Sequence, residues 1–317
     1  GITFDIYTST GTENHARTVH DIFLKLYERG VLYKDTMKLP YCPVEERFLL
    51  DRYVEGTCPI CGYNGARGDQ CDNCGNVLDP VDLVDPRCRF DGATPQIRDS
   101  EHFFLRLSAY NRKLRDWLST DKQHWRRNVL NFSLSVLEQG LKDRAITRDI
   151  EWGVAIPLPG FETKRIYVWF EAVIGYLSAA KEWAQRQGDP EKWREFWQDP
   201  RCKTYYFIGK DNIIFHTLIW PAELMAYSEA TGEHYNLPYD VPANQYQTVR
   251  GAKASTSRNL AVWVLDFLSR YDPDPLRYYL AVTMPETSDS DFTWADFVRR
   301  NNDELVATWG NLVNRVL

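Results

Sequence analysis

The 317-residue chain is 44% hydrophobic and 14% aromatic, with 11 tryptophans and 18 tyrosines, which supplies a large core and excludes a disordered polymer. Its net charge of −6 argues against non-specific nucleic-acid binding through bulk charge, while leaving room for a local basic face that holds a folded RNA. No apolar run reaches the roughly 20 residues that span a bilayer, and Gly1-Ile2-Thr3-Phe4-Asp5 lacks the basic start and apolar core of a secretory signal, so no membrane association is expected.

In chain order, the alternating ITFDIYTST predicts an opening strand. An amphipathic helix follows, with Val19, Ile22, Phe23 and Leu26 inward and Gly30 as its stop. Residues 31–100 read as short strands, turns and cysteine pairs, and residues 101–145 as helical, from EHFFLRLSAYNRKLRDWL to WRRNVLNFSLSVLEQGL. An α/β pattern returns with AITRD. IYVWF at 166–170 is strand-like and leads into helical EAVIGYLSAAKEWAQ, while the Trp- and Pro-rich stretch 182–202 reads as an excursion. Tyr205 to Ile208, aromatic and β-branched, predicts a strand buried on both faces. Gly209-Lys210-Asp211 is then a tight turn, with Asp211 or Asn212 capping the next helix. Ligands of doubly wound α/β folds bind at such strand ends. The Gly-Lys pair is not a P-loop, because the Gly-x4-Gly-Lys-Ser/Thr spacing is missing. After a polar loop come helical VWVLDFLSRY, two Asp-Pro steps at 272–275 and LRYYLAVTM. A long amphipathic helix is expected from Trp294 to Leu317.

Cys58-Pro-Ile-Cys61-Gly and Cys71-Asp-Asn-Cys74-Gly are two C-x2-C-Gly knuckles separated by nine residues. Each turns two thiolates toward one point, and Cys58, Cys61, Cys71 and Cys74 together complete a closed structural zinc site with Zn–S distances of about 2.3 Å. An iron–sulfur cluster or disulfides are the alternatives. Cysteine pairs of this kind predict a reducing, cytoplasmic compartment. Cys42-Pro-Val-Glu45 and Cys88-Arg-Phe-Asp91 repeat the spacing with a carboxylate in the second position. That mixture reads as a decayed site that no longer binds metal. Arg250-Gly251-Ala252-Lys253-Ala254-Ser255-Thr256-Ser257-Arg258-Asn259 is either a solvated connector or a flexible basic loop that wraps a triphosphate.

Taken together, these segments resemble the methionyl-tRNA synthetases, a family of class I aminoacyl-tRNA synthetases. DRYVEGTCPICGYNGARGDQCDNCG is similar to the family's zinc-bearing insertion in its archaeal and eukaryotic form. GATPQIRDSEHFFLRL, AITRDIEWG, YVWFEAVIGYLSA and FIGKDNIIFH match family segments in order, and KASTS at 253–257 falls where the KMSKS loop belongs. The resemblance implies an α/β, Rossmann-like catalytic core with an incomplete first half, a zinc-knuckle insertion and the start of an α-helical bundle. It divides the chain into part of the first nucleotide-binding half (1–30), the insertion (31–145), the second half (146–250), the loop and stem-contact region (251–292) and the first anticodon-binding helices (293–317).

The implied chemistry joins methionine to ATP, which carries Mg2+, and passes the methionyl group to tRNA. The resemblance assigns Gly209, Lys210, Asp211 and Lys253 to ATP, with Lys253, Ser255 and Ser257 on its phosphates. Trp169, Ala172, Val173, Tyr176, Asn212 and His216 surround the amino acid, where flat aromatic walls suit a polarisable thioether. Oligomeric state is left open.

Four departures stand out. The family's HIGH-type histidine signature is absent, since His15 in TGTENHARTVH does not fit it. Ala254 and Thr256 replace a methionine and a lysine of KMSKS; losing that ammonium costs on the order of 2–4 kcal/mol, about 10²–10³ in rate, if it acts only in the transition state. Asn259 replaces a glycine that usually follows the loop. Glu171, Val173 and Asn212 stand where the family usually has aspartate, proline and a branched apolar residue. These changes leave two alternatives open: a paralogue that activates another amino acid or charges another acceptor, and a non-catalytic protein that binds tRNA or a partner.

Overall fold

The computed structural model describes residues 3–68, 71, 78–249, 251–253 and 261–317, with residues 252 and 253 in backbone only. The chain divides into two compact units. Residues 1–117, 137–203 and 219–237 form the first.

Its first helix, Glu13–Glu28, starts where the Thr12 side chain accepts from the His15 amide at 3.1 Å. Val19, Ile22, Phe23 and Leu26 form its buried stripe, as the helical period requires. Gly30, at φ +69°, ends it, and the Val31 amide donates back to the Leu26 carbonyl at 2.9 Å. The opening strand does not form over the described residues: residues 3–9 have no ladder partner among them, and Phe4 and Tyr7 are exposed.

Residues 31–100 hold one long ribbon rather than short strands alone. Leu32–Cys42 pairs antiparallel with Gln96–Leu105, in register from Leu32↔Leu105 to Tyr41↔Gln96. EHFFL is therefore a strand and not the start of a helix; its aromatic residues have a ten-pair ladder to join. Phe103 lies edge-on to Phe23 and Tyr27 at 5.1 and 5.5 Å, which seats the ribbon on the first helix.

Beside it the short strand Thr147–Arg148 pairs with Arg165–Ile166. A buried polar cluster fastens these pieces. His102 Nδ1 meets Thr147 Oγ1 and its Nε2 meets Asp149 Oδ2, each at 3.0 Å. Lys164 Nζ donates to Asp149 Oδ1 at 2.5 Å and to Ser100 Oγ at 2.6 Å. Burial pushes the Asp149 carboxyl up, but hydrogen bonds from His102 and Lys164 outweigh it and hold the group at about 2.

The strand expected over IYVWF stops at Ile166. Tyr167 is extended and Val168 begins the helix Val168–Arg186, whose Phe170, Val173, Ile174 and Leu177 repeat with helical period and are buried. The 182–202 stretch is part of the core: Trp193 and Trp197 are buried, and Trp197 packs edge-on against Trp220 at 5.8 Å. Trp220 opens the helix Trp220–Thr231, where Tyr227 donates to Asp21.

Residues 118–136, 204–218 and 238–317 form the second unit. Tyr205–Ile208 is buried on one face only: Tyr206 is 4% exposed, Tyr205 52% and Phe207 81%, as strand alternation dictates. The regular ladder is confined to Ile208–Gly209, parallel to Ala243–Asn244. A 3-10 turn, Lys210–Asn212, follows, with no side-chain cap from Asp211 or Asn212, and a π-helical turn spans Phe215–Ile219. Gln247–Val249 lies between antiparallel Ala252–Lys253 and parallel Ser290–Phe292. Phe267, Leu276, Tyr279, Phe292 and Phe297 make a mainly aromatic core cluster. The helical run from Trp294 buries Phe297, passes through a π-helical stretch at Asn301–Gly310 and leaves Val306, Trp309 and Leu312 exposed.

One buried group sets a testable balance. Glu223 is fully buried, and neither carboxyl oxygen has a hydrogen-bond partner among the described residues. Burial raises its pKa well above the ordinary 4.5, so the native state keeps a proton that the unfolded chain releases. The stability this group contributes should be fully present below about pH 4.5 and be lost as pH rises through the native value. Glu223→Met should add about 1–3 kcal/mol near neutral pH and abolish that component of the slope, measured by urea unfolding at about pH 5 and pH 8.

Candidate functional site

The Val168–Arg186 helix carries four of the expected amino-acid-binding residues within two turns. The spacing of Trp169, Ala172, Val173 and Tyr176 puts them along one side. Trp169 and Tyr176 are partly exposed at 37% and 41%, Ala172 is half-buried and Val173 is buried. Burial raises the Tyr176 phenol.

Glu171 does not belong to that stripe. Its Oε2 is 2.7 Å from His15 Nε2, and His15 Nδ1 is 2.9 Å from Ser178 Oγ. All three side chains are buried. A hollow of about 530 Å³ adjoins this cluster, lined by Gly11, Thr12, His20, Val168 and Glu171 among others.

In the second unit, the 208–216 segment holds the other expected contacts. A Cβ on Gly209 would stand 2.9 Å from Asp211 Oδ1, so a larger residue there would displace that exposed carboxylate. Lys210 Nζ donates to Asp289 Oδ1 at 2.8 Å and lies 4.2 Å from the centre of the Tyr246 ring. The Tyr246 amide donates to the same oxygen at 2.9 Å. Hydrogen bonds from Lys210 and Tyr246 lower the Asp289 carboxyl. Asp289 and Tyr246 are absent from the sequence expectation; Asp289 lies 79 residues from Lys210, so no local signal marks it.

His216 is buried, with Tyr206 at 5.8 Å, and its Nδ1 donates to the Asn212 carbonyl at 2.9 Å, leaving Nε2 as the acceptor. Burial lowers the His216 pKa and favours the neutral ring. Arg126 braces the strand end opposite Gly209: its Nη1 donates to the Ala243 carbonyl at 2.9 Å and to Asn244 Oδ1 at 2.8 Å. A hollow of about 730 Å³ in this unit is lined by Trp263, Phe267, Tyr271 and Trp294 among others, and not by Lys210 or His216. Lys253 is placed in backbone, opposite Thr248. Arg250, Ser255, Ser257 and Arg258, like the rest of residues 254–260, lie outside the described residues.

The first knuckle, at residues 58–62, forms as local geometry predicts. The Gly62 amide donates to the Cys58 carbonyl at 3.0 Å, the Cys58 amide donates to the Tyr63 carbonyl at 2.9 Å, and Gly62 has φ +73°. The thiols of Cys58, Cys61 and Cys71 lie within 4.8 Å of one another, with Cys61 and Cys71 Sγ 3.7 Å apart. This donor set fits a thiolate-bound cation. Cys74 lies outside the described residues, and no disulfide joins the described cysteines.

The carboxylate-bearing knuckles keep the same backbone. The Gly92 amide donates to the Cys88 carbonyl at 2.8 Å, the Cys88 amide to the Ala93 carbonyl at 2.7 Å, and Gly92 has φ +75°. In the other, Glu46 takes the left-handed turn at φ +51°, and the Glu45 amide points at Cys42 Sγ from 3.4 Å. Cys42, Cys88 and Asp91 offer ligand atoms within 4.8 Å of one another. Here, however, the Cys42 thiol donates to Asp91 Oδ2 at 3.0 Å, and Glu45 pairs with Arg47 at 3.0 Å. Burial and the Asp91 contact push the Cys42 thiol up.

The family model for tRNA synthetases class I (M) matches residues 1–317. The methionine–tRNA ligase of Dehalococcoides mccartyi (strain CBDB1) is 61% identical over 317 residues, covering 100% of this chain and 56% of that protein. That of Thermomicrobium roseum is 57% identical, covering 100% and 53%. Among solved structures, Mycobacterium tuberculosis methionyl-tRNA synthetase in complex with methionyl-adenylate superposes with a TM-score of 0.71 at 25% identity, over 99% of this chain and 54% of that one. The chain spans about half the length of the curated relatives it matches.

Because the carboxylate knuckles retain the turn and lack only thiolates, Glu45→Cys combined with Asp91→Cys should raise bound zinc by about one equivalent per chain. Cys58→Ala in the native background should lower it by about one. Metal analysis of the purified proteins checks both.

Proposed function

This chain belongs to the tRNA synthetases class I (M) family, and we propose that it forms most of the catalytic region of a methionine–tRNA ligase. The observation that carries the reading is the match of residues 1–317 to that family, with relatives of that name at 57–61% identity across the whole chain.

In this reading the methionine carboxylate attacks the α-phosphorus of ATP and pyrophosphate leaves; a hydroxyl of the terminal ribose of tRNA then attacks the methionyl carbonyl, and AMP leaves. Gly209, Lys210 and Asp211 hold the nucleotide, which brings Mg2+ with it, while Lys253, Ser255 and Ser257 stabilise charge on the departing phosphates. Trp169, Ala172, Val173, Tyr176, Asn212 and His216 receive the methionine side chain. A neutral His216 suits this role, since a thioether sulfur is a weak acceptor that wants no full charge beside it. No side-chain nucleophile is required, because positioning and charge stabilisation carry adenylate chemistry.

Glu171, one of the residues that suggested a different amino acid, is buried against His15, which favours methionine over the paralogue reading. Cys58, Cys61, Cys71 and Cys74 hold a structural zinc that fixes the insertion. In this reading segment 1–30 is part of the first nucleotide-binding half and 146–250 the second, 31–145 the insertion, 251–292 the phosphate loop and stem-contact region, and 293–317 the first anticodon-domain helices. No helix among the described residues is long and apolar enough to cross a membrane, consistent with work in the cytoplasm.

The full-length protein that contains this chain should catalyse methionine-dependent exchange of labelled pyrophosphate into ATP. Lys253→Ala should slow the exchange by about 10²–10³ with methionine affinity retained. Exchange driven by another amino acid, with none for methionine, would overturn the reading.

A further inference from the structure

We propose that His15 and Glu171 are positioning residues: a buried, proton-sharing brace that sets the rotation of the 168–186 helix and so the aim of Trp169 and Tyr176. The proposal rests on the methionine-binding reading of that helix.

The hydrogen-bond geometry fixes where the protons sit. Ser178 Oγ lies 3.0 Å from the Gly175 carbonyl, which can only accept, so the single hydroxyl proton is spent there. Ser178 must then accept from His15, and the proton on that side is Nδ1–H. One further proton lies between His15 Nε2 and Glu171 Oε2, 2.7 Å apart. Whether it rests on nitrogen or oxygen, the pair is neutral overall and both ring nitrogens are satisfied. A ring held at both ends inside the core has one orientation available to it.

His15 is one of a row of stitches. Thr8 Oγ1 donates to Glu182 Oε2 at 2.6 Å, and Asn14 Nδ2 donates to the Ser178 carbonyl at 2.7 Å. Gln185 Nε2 reaches Asn14 Oδ1 at 3.4 Å, and a Cβ on Gly175 would meet Thr10 at 3.4 Å. Positions 171, 175, 178, 182 and 185 advance by whole helical turns, so residues 8–15 run along a single strip of the helix. At about 100° per residue, Trp169 and Tyr176 stand roughly 140–160° round from that strip. A brace on one side of a helix fixes what the other side presents. The TGTENH stretch, which supplies no nucleotide-binding signature, thereby acquires a role.

The test uses the full-length protein. Wild type is assayed first for methionine-dependent pyrophosphate exchange, which judges the functional reading alone. Glu171→Ala should then raise KM for methionine by about ten-fold while KM for ATP stays within about two-fold. Glu171→Gln should bring KM for methionine back to within about three-fold of wild type, because its amide can donate to the neutral Nε2 that Ser178 leaves as an acceptor. A loss of general integrity would move both KM values and would not be rescued.

A second measurement needs no activity and no fragile variant. In 15N-histidine-labelled wild type, His15 should show an Nδ1–H protected from exchange, and Ser178→Ala should remove that protection. An unchanged methionine KM in Glu171→Ala, or a His15 ring bearing its only proton on Nε2, overturns the brace. Absent exchange in wild type with a protected Nδ1–H would instead sink the functional reading and leave the pair standing.

Discussion

The register between Leu32–Cys42 and Gln96–Leu105 is the constraint on which the first unit depends. A slip of one residue in a ladder swaps every side chain to the other face. Here it would carry Phe103 out of its contact with Phe23 and Tyr27, and His102 away from Asp149 and Thr147. The other end of the same ladder delivers Cys42 to Cys88 and Asp91. The core contacts and the thiol cluster at the far end are thus set by one alignment.

Polar groups inside this unit meet two opposite fates. Asp149 is half-buried yet stays a carboxylate, because His102 and Lys164 donate to it. Glu223 is buried with no such donors among the described residues, and keeps its proton instead. Desolvation acts on both; the number of donors within reach decides the outcome. The Cys42 thiol follows the same rule, staying protonated where its neighbour is a carboxylate acceptor rather than a cation or an amine.

What the sequence made legible was local. The knuckles follow from a four-residue spacing plus a glycine, and Gly62 and Gly92 stand at the left-handed angles that spacing asks for. The first helix follows from one apolar stripe and the glycine that stops it. Ala172, Val173 and Tyr176 lie on the helix the sequence predicts, whereas Trp169, read as strand, joins their side because the helix already begins at Val168. What failed depended on partners. ITFDIYTST alternates like a strand but has nothing to pair with, whereas EHFFL has no clear period and becomes a strand because Leu32–Cys42 lies beside it. Aromatic content alone suggested two buried faces for Tyr205–Ile208, but alternation sends Tyr205 and Phe207 outward. The pairs Lys210–Asp289 and His15–Glu171 join residues 79 and 156 positions apart, beyond the reach of any spacing rule.

The close approach of Gly209 to the Asp211 carboxylate links backbone and side chain at this turn. The oxygen that a Cβ at 209 would meet is the tip of an exposed side chain, and Gly209 itself has φ −86°, which any residue adopts. An alanine there is therefore admitted once the neighbouring carboxylate swings to another rotamer. The substitution would leave the path of the chain intact and re-aim one negative charge.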